Sequence, residues 1–217
     1  MTQPNKVDFN LYLITDRHQT GSVRLLDVVE DALKGGARGV QLREKDLSSR
    51  ELYELAYDMR KLTSKYDARL LINDRVDIAL AVEADGVQLS LNSLPIHRVR
   101  KLLGCTKLIG LSCHNQVNAI MAQEGGADFI TFGPVYYTPS KANYGKPVGV
   151  EKLEIVSHLL EIPVFALGGI KQENIPEVTA AGAAGIALVS AIIANVDPQK
   201  ETEDLIAMIP PRQSRAT

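Results

Sequence analysis

The chain predicts a single (β/α)8 barrel, and three observations carry that expectation. Short apolar runs alternate with segments of helical spacing eight times from one end to the other. The runs lack the clean two-residue alternation of half-exposed strands, as expected where both faces are covered. No strand leads into the Gly-x-Gly-x-x-Gly turn of a dinucleotide-binding open sheet, the rival architecture. A length of 217 residues fits one large α/β domain or two small ones, and no linker divides it.

The elements follow in order. Phe9 to Thr15 reads as the first strand, and Arg24 to Lys34 as a helix with Leu25, Leu26, Val29, Ala32 and Leu33 at helical spacing, stopped by Gly35-Gly36. Gly39 to Arg43 is the second strand. Ser48 or Ser49 caps a helix reaching Tyr66, with Leu52, Leu55, Met59 and Leu62 facing inward. Strands three to five are Arg69–Asn73, Gly86–Ser90 and Leu108–Ser112, followed by helices at Asp77–Ala84, Pro95–Leu103 and Val117–Gln123. Phe129 to Val135 is the sixth strand, with a helix at Val150–Leu160 beyond a long loop. Val164–Leu167 is the seventh, followed by a helix at Asn174–Ala181. Gly185 to Val189 is the eighth, and Thr202–Met208 supplies a closing helix. The barrel domain spans 1–209, and 210–217 reads as a frayed tail.

Composition narrows the function. A net charge of −2 gives no general attraction to nucleic acid or to an anionic membrane. No apolar run approaches the ~20 residues that span a bilayer, and Met1 to Asp8 is polar rather than signal-like. Cys105 and Cys113 lack metal-type spacing and read as small buried residues in a reducing compartment, so the cytoplasm is expected. Nothing sets the assembly state, and a homo-oligomer is compatible with the sequence.

In such barrels the active site lies at the C-terminal ends of the strands. Those ends collect Gln41, Arg43 and Lys45 after strand two; Asn73, Asp74 and Arg75 after strand three; and Gln88 and Ser90 in strand four. Strand five adds Ser112 and His114, strand six Thr138, Ser140 and Lys141, strand seven Gly168-Gly169, and strand eight Val189-Ser190. Arg43, Lys45 and Lys141 at one end of a slightly acidic protein suit an anionic small substrate. Arg43, Glu44 and Lys45 could instead form a solvated charge cluster. The glycine pair alone could be a tight strand-helix turn, but its position after strand seven, matched by Ser190 after strand eight, favours a phosphate site built from backbone N–H groups. His114 is suited to moving a proton, or to a plain hydrogen bond at the rim. Asn73-Asp74 could hold a metal or cap the next helix. Gln88 points into the barrel if strand four begins at Gly86. The connection within Thr131–Gly149, with Tyr136, Tyr137 and Tyr144, is long enough to be a lid.

At these residues the chain resembles the thiamine-biosynthesis barrel family that contains thiamine-phosphate synthase and thiazole tautomerase. The resemblance runs through Gln41-Leu-Arg-Glu-Lys45, Ile72-Asn-Asp-Arg75, Gly110-Leu-Ser-Cys-His114, Gly133-Pro-Val, Thr138-Pro-Ser-Lys141, Gly168-Gly-Ile170 and Val189-Ser-Ala-Ile192. It implies pyrophosphate and pyrimidine contacts at Gln41, Arg43, Lys45, Asn73 and Lys141. It also implies a thiazole-phosphate site at Gly169, Val189 and Ser190, and a magnesium ligand at Asp74. The chain departs from the synthase pattern in strand four: Gln88 stands for a His, and Ser93 for a second magnesium-binding Asp. Losing one of two carboxylates should weaken a divalent site.

Thiazole tautomerases resemble the chain at that point, keep the equivalent of His114 as proton shuttle, and need no metal. The sequence therefore favours a tautomerase that aromatises a carboxythiazole phosphate. His114 would move the proton, Arg43 and Lys45 meet the carboxylate, and Gln88 orient the ring. Two alternatives accompany it: a Mg2+-dependent synthase that joins hydroxymethylpyrimidine pyrophosphate to thiazole phosphate, and a non-catalytic barrel that senses a thiamine precursor.

Overall fold

The computed structural model describes residues 7–139 and 146–210. Eight strands pair in parallel and in chain order: β1 (Leu11–Ile14), β2 (Gly39–Leu42), β3 (Arg69–Asn73), β4 (Gly86–Leu89), β5 (Leu108–Cys113), β6 (Phe129–Phe132), β7 (Val164–Leu167) and β8 (Gly185–Leu188). β8 pairs with β1, so the sheet closes. Around it run α1 (Leu25–Lys34), α2 (Ser49–Lys65), α3 (Val76–Ala81), α4 (Ile96–Leu103), α5 (Gln116–Glu124), α6 (Val150–Leu159), α7 (Ile175–Ala180), α8 (Ser190–Ile193) and α9 (Pro198–Met208). This is the expected (β/α)8 barrel.

Two apolar cores result, because each strand buries both faces. The larger lies between the sheet and the helices, with Val29 and Leu33 of α1 and Met59 of α2 fully buried in it. The smaller fills the barrel with Phe9, Tyr12, Phe129 and Phe165. The Phe9 ring centroid lies 5.3 Å from those of both Tyr12 and Phe165, and Phe129 meets Tyr12 edge-on at 5.5 Å. Such pairs contribute roughly 0.5–1.5 kcal/mol each beyond their burial. Interior glycines make the room. A Cβ would stand 2.6 Å from the Phe9 ring at Gly39, 2.5 Å from that of Phe129 at Gly110, and 2.7 Å from that of Phe165 at Gly185.

Several boundaries differ from expectation for local reasons. Phe9 is not in β1 but plugs the N-terminal end of the barrel. β6 stops at Phe132 because Pro134 has no N–H to give; the Val135 N–H then returns to Leu167 O at 2.9 Å. α2 has its Ser48 cap in a reciprocal box with Glu51. Its fully buried face is Leu52, Ala56, Met59 and Thr63, whereas Leu55 and Leu62 are only partly covered. α9 begins at Pro198 rather than Thr202, with the Asp197 side chain accepting from the Lys200 N–H. The four-residue α8 was not anticipated. Cys105 is exposed, against expectation, while Cys113 is buried and its thiol is pushed up to about 12 by desolvation. Among the described residues no helix is long and apolar enough to cross a membrane. Residues 211–217 of the expected tail lie outside the described residues.

Candidate active site

The floor of the C-terminal mouth is a chain of polar side chains lying on the aromatic core. Gln41 Nε2 donates to the Tyr12 hydroxyl at 3.3 Å, and Tyr12 donates to Gln88 Oε1 at 3.4 Å. Burial drives the Tyr12 phenol well above its ordinary range, so it remains a donor. Gln88 Nε2 then donates to Ser112 Oγ at 3.1 Å and to Thr131 Oγ1 at 3.4 Å, and Thr131 donates to Ser112 at 3.3 Å. Gln88 faces inward, as the register of β4 implied. At 1% exposure it belongs to the floor rather than to the open mouth. Ser112 receives two donors from below, which leaves its own hydrogen for the half-exposed side above.

The β1–α1 and β2–α2 loops are clasped together. Thr15 Oγ1 donates to Glu44 Oε1 at 2.6 Å and accepts from the Arg43 N–H at 2.9 Å. Glu44 also accepts from the Arg17 N–H and guanidinium, both at 3.2 Å. The same guanidinium makes two 2.6 Å bonds to Asp46. Glu44 is therefore a buried structural carboxylate, and the reading of Arg43-Glu44-Lys45 as one solvated cluster fails at its centre. With Glu44 turned inward, half-buried Arg43 and exposed Lys45 flank it along the chain. Among the described residues neither cation is paired with a carboxylate.

Asn73 ends β3 opposite Gln88, and Asp74 follows in the left-handed region with φ 59°. The Asp74 N–H is tied to Gln88 O at 2.9 Å. Its carboxylate accepts from Asn73 Nδ2 at 3.1 Å and from Ser93 Oγ in a short contact. Asp74 does not cap the next helix, because the α3 N-cap is Arg75, with no side-chain cap bond. Such backbone strain in a non-glycine residue gathers at functional sites. Beside it lies a cavity of about 270 Å³ lined by Lys45, Asn73, Asp74 and Arg75 over an apolar wall of Leu42 and Leu52.

On the far side of the mouth, His114 Nδ1 lies 2.6 Å from Gly133 O. A carbonyl can only accept, so Nδ1 carries a proton, and in the neutral ring the lone pair is on Nε2. The loop after β6 is closed at its base, where Val148 N–H meets Pro134 O at 2.8 Å and Gly149 N–H meets Val135 O at 3.2 Å. Tyr136 donates to Glu177 Oε2 at 2.6 Å, and burial beside that carboxylate raises its phenol. The glycine pair lies beneath this loop with φ 97° and 67°; a Cβ would meet Pro134 at 2.5 Å from Gly168 and Tyr137 O at 2.6 Å from Gly169. Close backbone approach alone thus accounts for both glycines. Val189 and Ser190 start α8 without a side-chain cap, and Thr138 is half-buried. Ser140, Lys141 and Tyr144 lie outside the described residues.

A family model described as thiamine monophosphate synthase matches residues 11–192, which takes in all eight strands. The chain belongs to the thiamine monophosphate synthase family. Within it, a Geobacter sulfurreducens protein described only provisionally as a thiamine-phosphate synthase is 62% identical over 207 residues, covering 95% of this chain and 97% of its own. The thiamine-phosphate synthase of Clostridium novyi is 44% identical, with 92% and 98% covered. Among solved structures, thiamine phosphate pyrophosphorylase from Pyrococcus furiosus superposes with a TM-score of 0.85 at 37% identity, with 94% and 96% covered. Family membership leaves the clasp of Thr15, Arg17, Glu44 and Asp46 as the part that residue-by-residue reading overlooked. Its one signal was a cation after β1 facing acids after β2 at the same barrel end.

Proposed function

We propose that this family member is an enzyme of thiamine biosynthesis that acts on phosphorylated thiamine precursors by the synthase reaction. The thiazole nitrogen attacks the methylene carbon of hydroxymethylpyrimidine pyrophosphate. The C–O bond to pyrophosphate breaks, and its electron pair leaves with that group. The observation that carries this reading is the cavity where Lys45, Asn73 and Asp74 converge. Proton transfer on a thiazole phosphate needs a base and a phosphate cradle, with no use for a pre-oriented carboxylate among cations. The synthase names of relatives covered along nearly their whole length support the same choice over the tautomerase that strand four suggested. Gln88 weighs less than its sequence position implied, because it is buried in the floor.

Magnesium fits this corner, since it commonly takes one or two carboxylates with substrate phosphates and water completing its shell. Asp74 would hold it, and Asn73 would keep that carboxylate turned. Bound there, the ion would neutralise charge on the departing pyrophosphate. Arg43 and Lys45 would meet pyrophosphate oxygens, joined by Lys141 from the loop. Ser112 would present a hydrogen bond to the pyrimidine, with Gln41 in the floor beneath, and Gly169, Val189 and Ser190 would receive the thiazole phosphate. Thr138 and Ser140 would reach the same anions from the loop.

The test pairs both pyrimidine pyrophosphate and thiazole phosphate with and without Mg2+, following thiamine phosphate and released pyrophosphate. Magnesium-dependent formation of both is expected. Aromatisation of the dihydrothiazole tautomer in EDTA, with no condensation under any condition, would overturn the reading. The tautomerase remains the second reading because the lone pair on His114 Nε2 suits a proton shuttle. If it holds, His114→Asn abolishes aromatisation; an unchanged rate removes His114 from the mechanism.

A further inference from the structure

We propose that Ser93 is a positioning residue for Asp74, and that a neutral side chain at this position, in place of a second carboxylate, makes divalent-cation binding at this corner conditional on pyrophosphate. The proposal rests on the synthase reading and concerns this chain's own departure from the family pattern. Ser93 lies in the loop between β4 and α4. Its Oγ accepts from the Ser90 N–H at 2.7 Å and lies 3.0 Å from Ser90 Oγ. The single Ser93 hydrogen is given to Asp74 Oδ1. Ser90 must then donate to Ser93, so the bonds run in one direction, Ser90 to Ser93 to Asp74.

From the other side Asn73 Nδ2 donates to Asp74 Oδ2 at 3.1 Å. Both carboxylate oxygens are therefore held by neutral donors, on a residue whose backbone is itself pinned by the bond to Gln88 O. The arrangement orients Asp74 before any ligand arrives. It does so without a second negative charge.

That difference has a chemical consequence. Among the described residues no group of three or more His, Cys, Asp or Glu side chains could hold a metal ion. Magnesium dehydrates reluctantly, and one carboxylate held by neutral donors in a cavity that Lys45 and Arg75 also line offers little to offset the loss of water. Pyrophosphate brings several anionic oxygens at once. The cation would therefore settle against Asp74 only as part of a cation–pyrophosphate unit, whereas a carboxylate at position 93 would let it bind beforehand.

The experiment titrates Mg2+ into the full chain by calorimetry, alone and with inorganic pyrophosphate, for wild type, Ser93→Ala, Ser93→Thr and Ser93→Asp. Wild type should take up Mg2+ only when pyrophosphate is present. Removing the hydroxyl in Ser93→Ala should weaken that ternary binding by about 10- to 100-fold, as loss of an orienting partner does at metal sites. Ser93→Thr, which keeps the hydroxyl, should restore it. Ser93→Asp should bind Mg2+ without pyrophosphate. Equal Mg2+ affinity of the wild type with and without pyrophosphate would overturn the proposal, as would an unchanged ternary affinity in Ser93→Ala. Should Ser93→Ala fail to fold, the wild-type and Ser93→Asp titrations decide alone. Absence of condensation with these binding results intact would sink the synthase reading and leave the role of Ser93 standing.

Discussion

Two clusters of charge share one end of this barrel, and their members alternate along the chain from Arg43 to Asp46. In the clasp of Arg17, Glu44 and Asp46, each charged group meets a charged or hydroxyl partner from the neighbouring loop. Around Arg43, Lys45 and Asp74 the cations have no carboxylate partner among the described residues, and the carboxylate is held by neutral donors. Both clusters look alike as a string of letters. Saturation separates them: a cluster whose valences are filled from within has little left for a ligand, while one held in place but unanswered is ready for an anion.

The comparison breaks most visibly at Glu44. Its side chain is 1% exposed, and it serves Thr15, the Arg17 backbone and the Arg17 guanidinium together. Glu44→Ala strands those donors and should cost about 3 kcal/mol, the low end for breaking a buried pair because Arg17 keeps Asp46. For a domain of this size that corresponds to a fall in Tm of roughly 6–12 °C. A Tm within experimental error of wild type would mean that the clasp is not structural.

Arg43 tests the other side. Arg43→Ala should lower kcat/KM for condensation by about 100-fold, or ~2.7 kcal/mol of transition-state stabilisation. Its Tm should move little, because the Arg43 bond to Thr15 is made by the backbone N–H and survives the substitution. A large loss of stability with unchanged turnover per folded molecule would reverse the two roles.

How much of this was legible beforehand follows from the same distinction. The barrel could be read because strand burial and helical spacing repeat locally, and β3 and β7 have the expected bounds. Mouth residues such as Asn73 and Asp74 were found because strand ends must converge in a closed barrel. Long-range pairing was hidden. Nothing near Glu44 in the chain announces that Thr15, 29 positions away, will draw it inward and leave Arg43 and Lys45 beside it. Gly39 and Gly185 marked strand starts in the sequence, but their purpose is to clear space for Phe9 and Phe165. The weight placed on Gln88 had the same origin, since its identity was visible and its depth was not.

The floor beneath both clusters offers a third measurement. A Cβ at Gly110 would stand 2.2 Å from Gln88 Oε1 as well as 2.5 Å from the Phe129 ring. Gly110→Ala should therefore cost about 1–3 kcal/mol, typical of overpacking a filled interior. It should also reduce turnover, because a displaced Gln88 no longer supports Ser112 from below. Lost stability with wild-type kinetics would show that the floor packs the barrel without shaping the mouth.

The smallest effect is expected at the rim of the clasp. Asp46 is half-exposed, faced by Arg17 through two bonds and by His18 at 3.0 Å. Exposed pairs of this kind contribute little, so Asp46→Asn should lower the melt at neutral pH by a small but measurable step. The pairing with Arg17 nevertheless holds the Asp46 carboxyl well below its ordinary value of 3.8. A depressed carboxyl contributes stability that is complete above the ordinary value and lost as pH falls through the depressed one. The gap between wild type and Asp46→Asn should therefore be constant from neutral pH to about 5, and narrow as the pH falls below about 4. High salt should narrow it at any pH, since the pair is open to solvent. A gap that persists unchanged in strong acid and in salt would place Asp46 with the buried part of the clasp rather than at its surface.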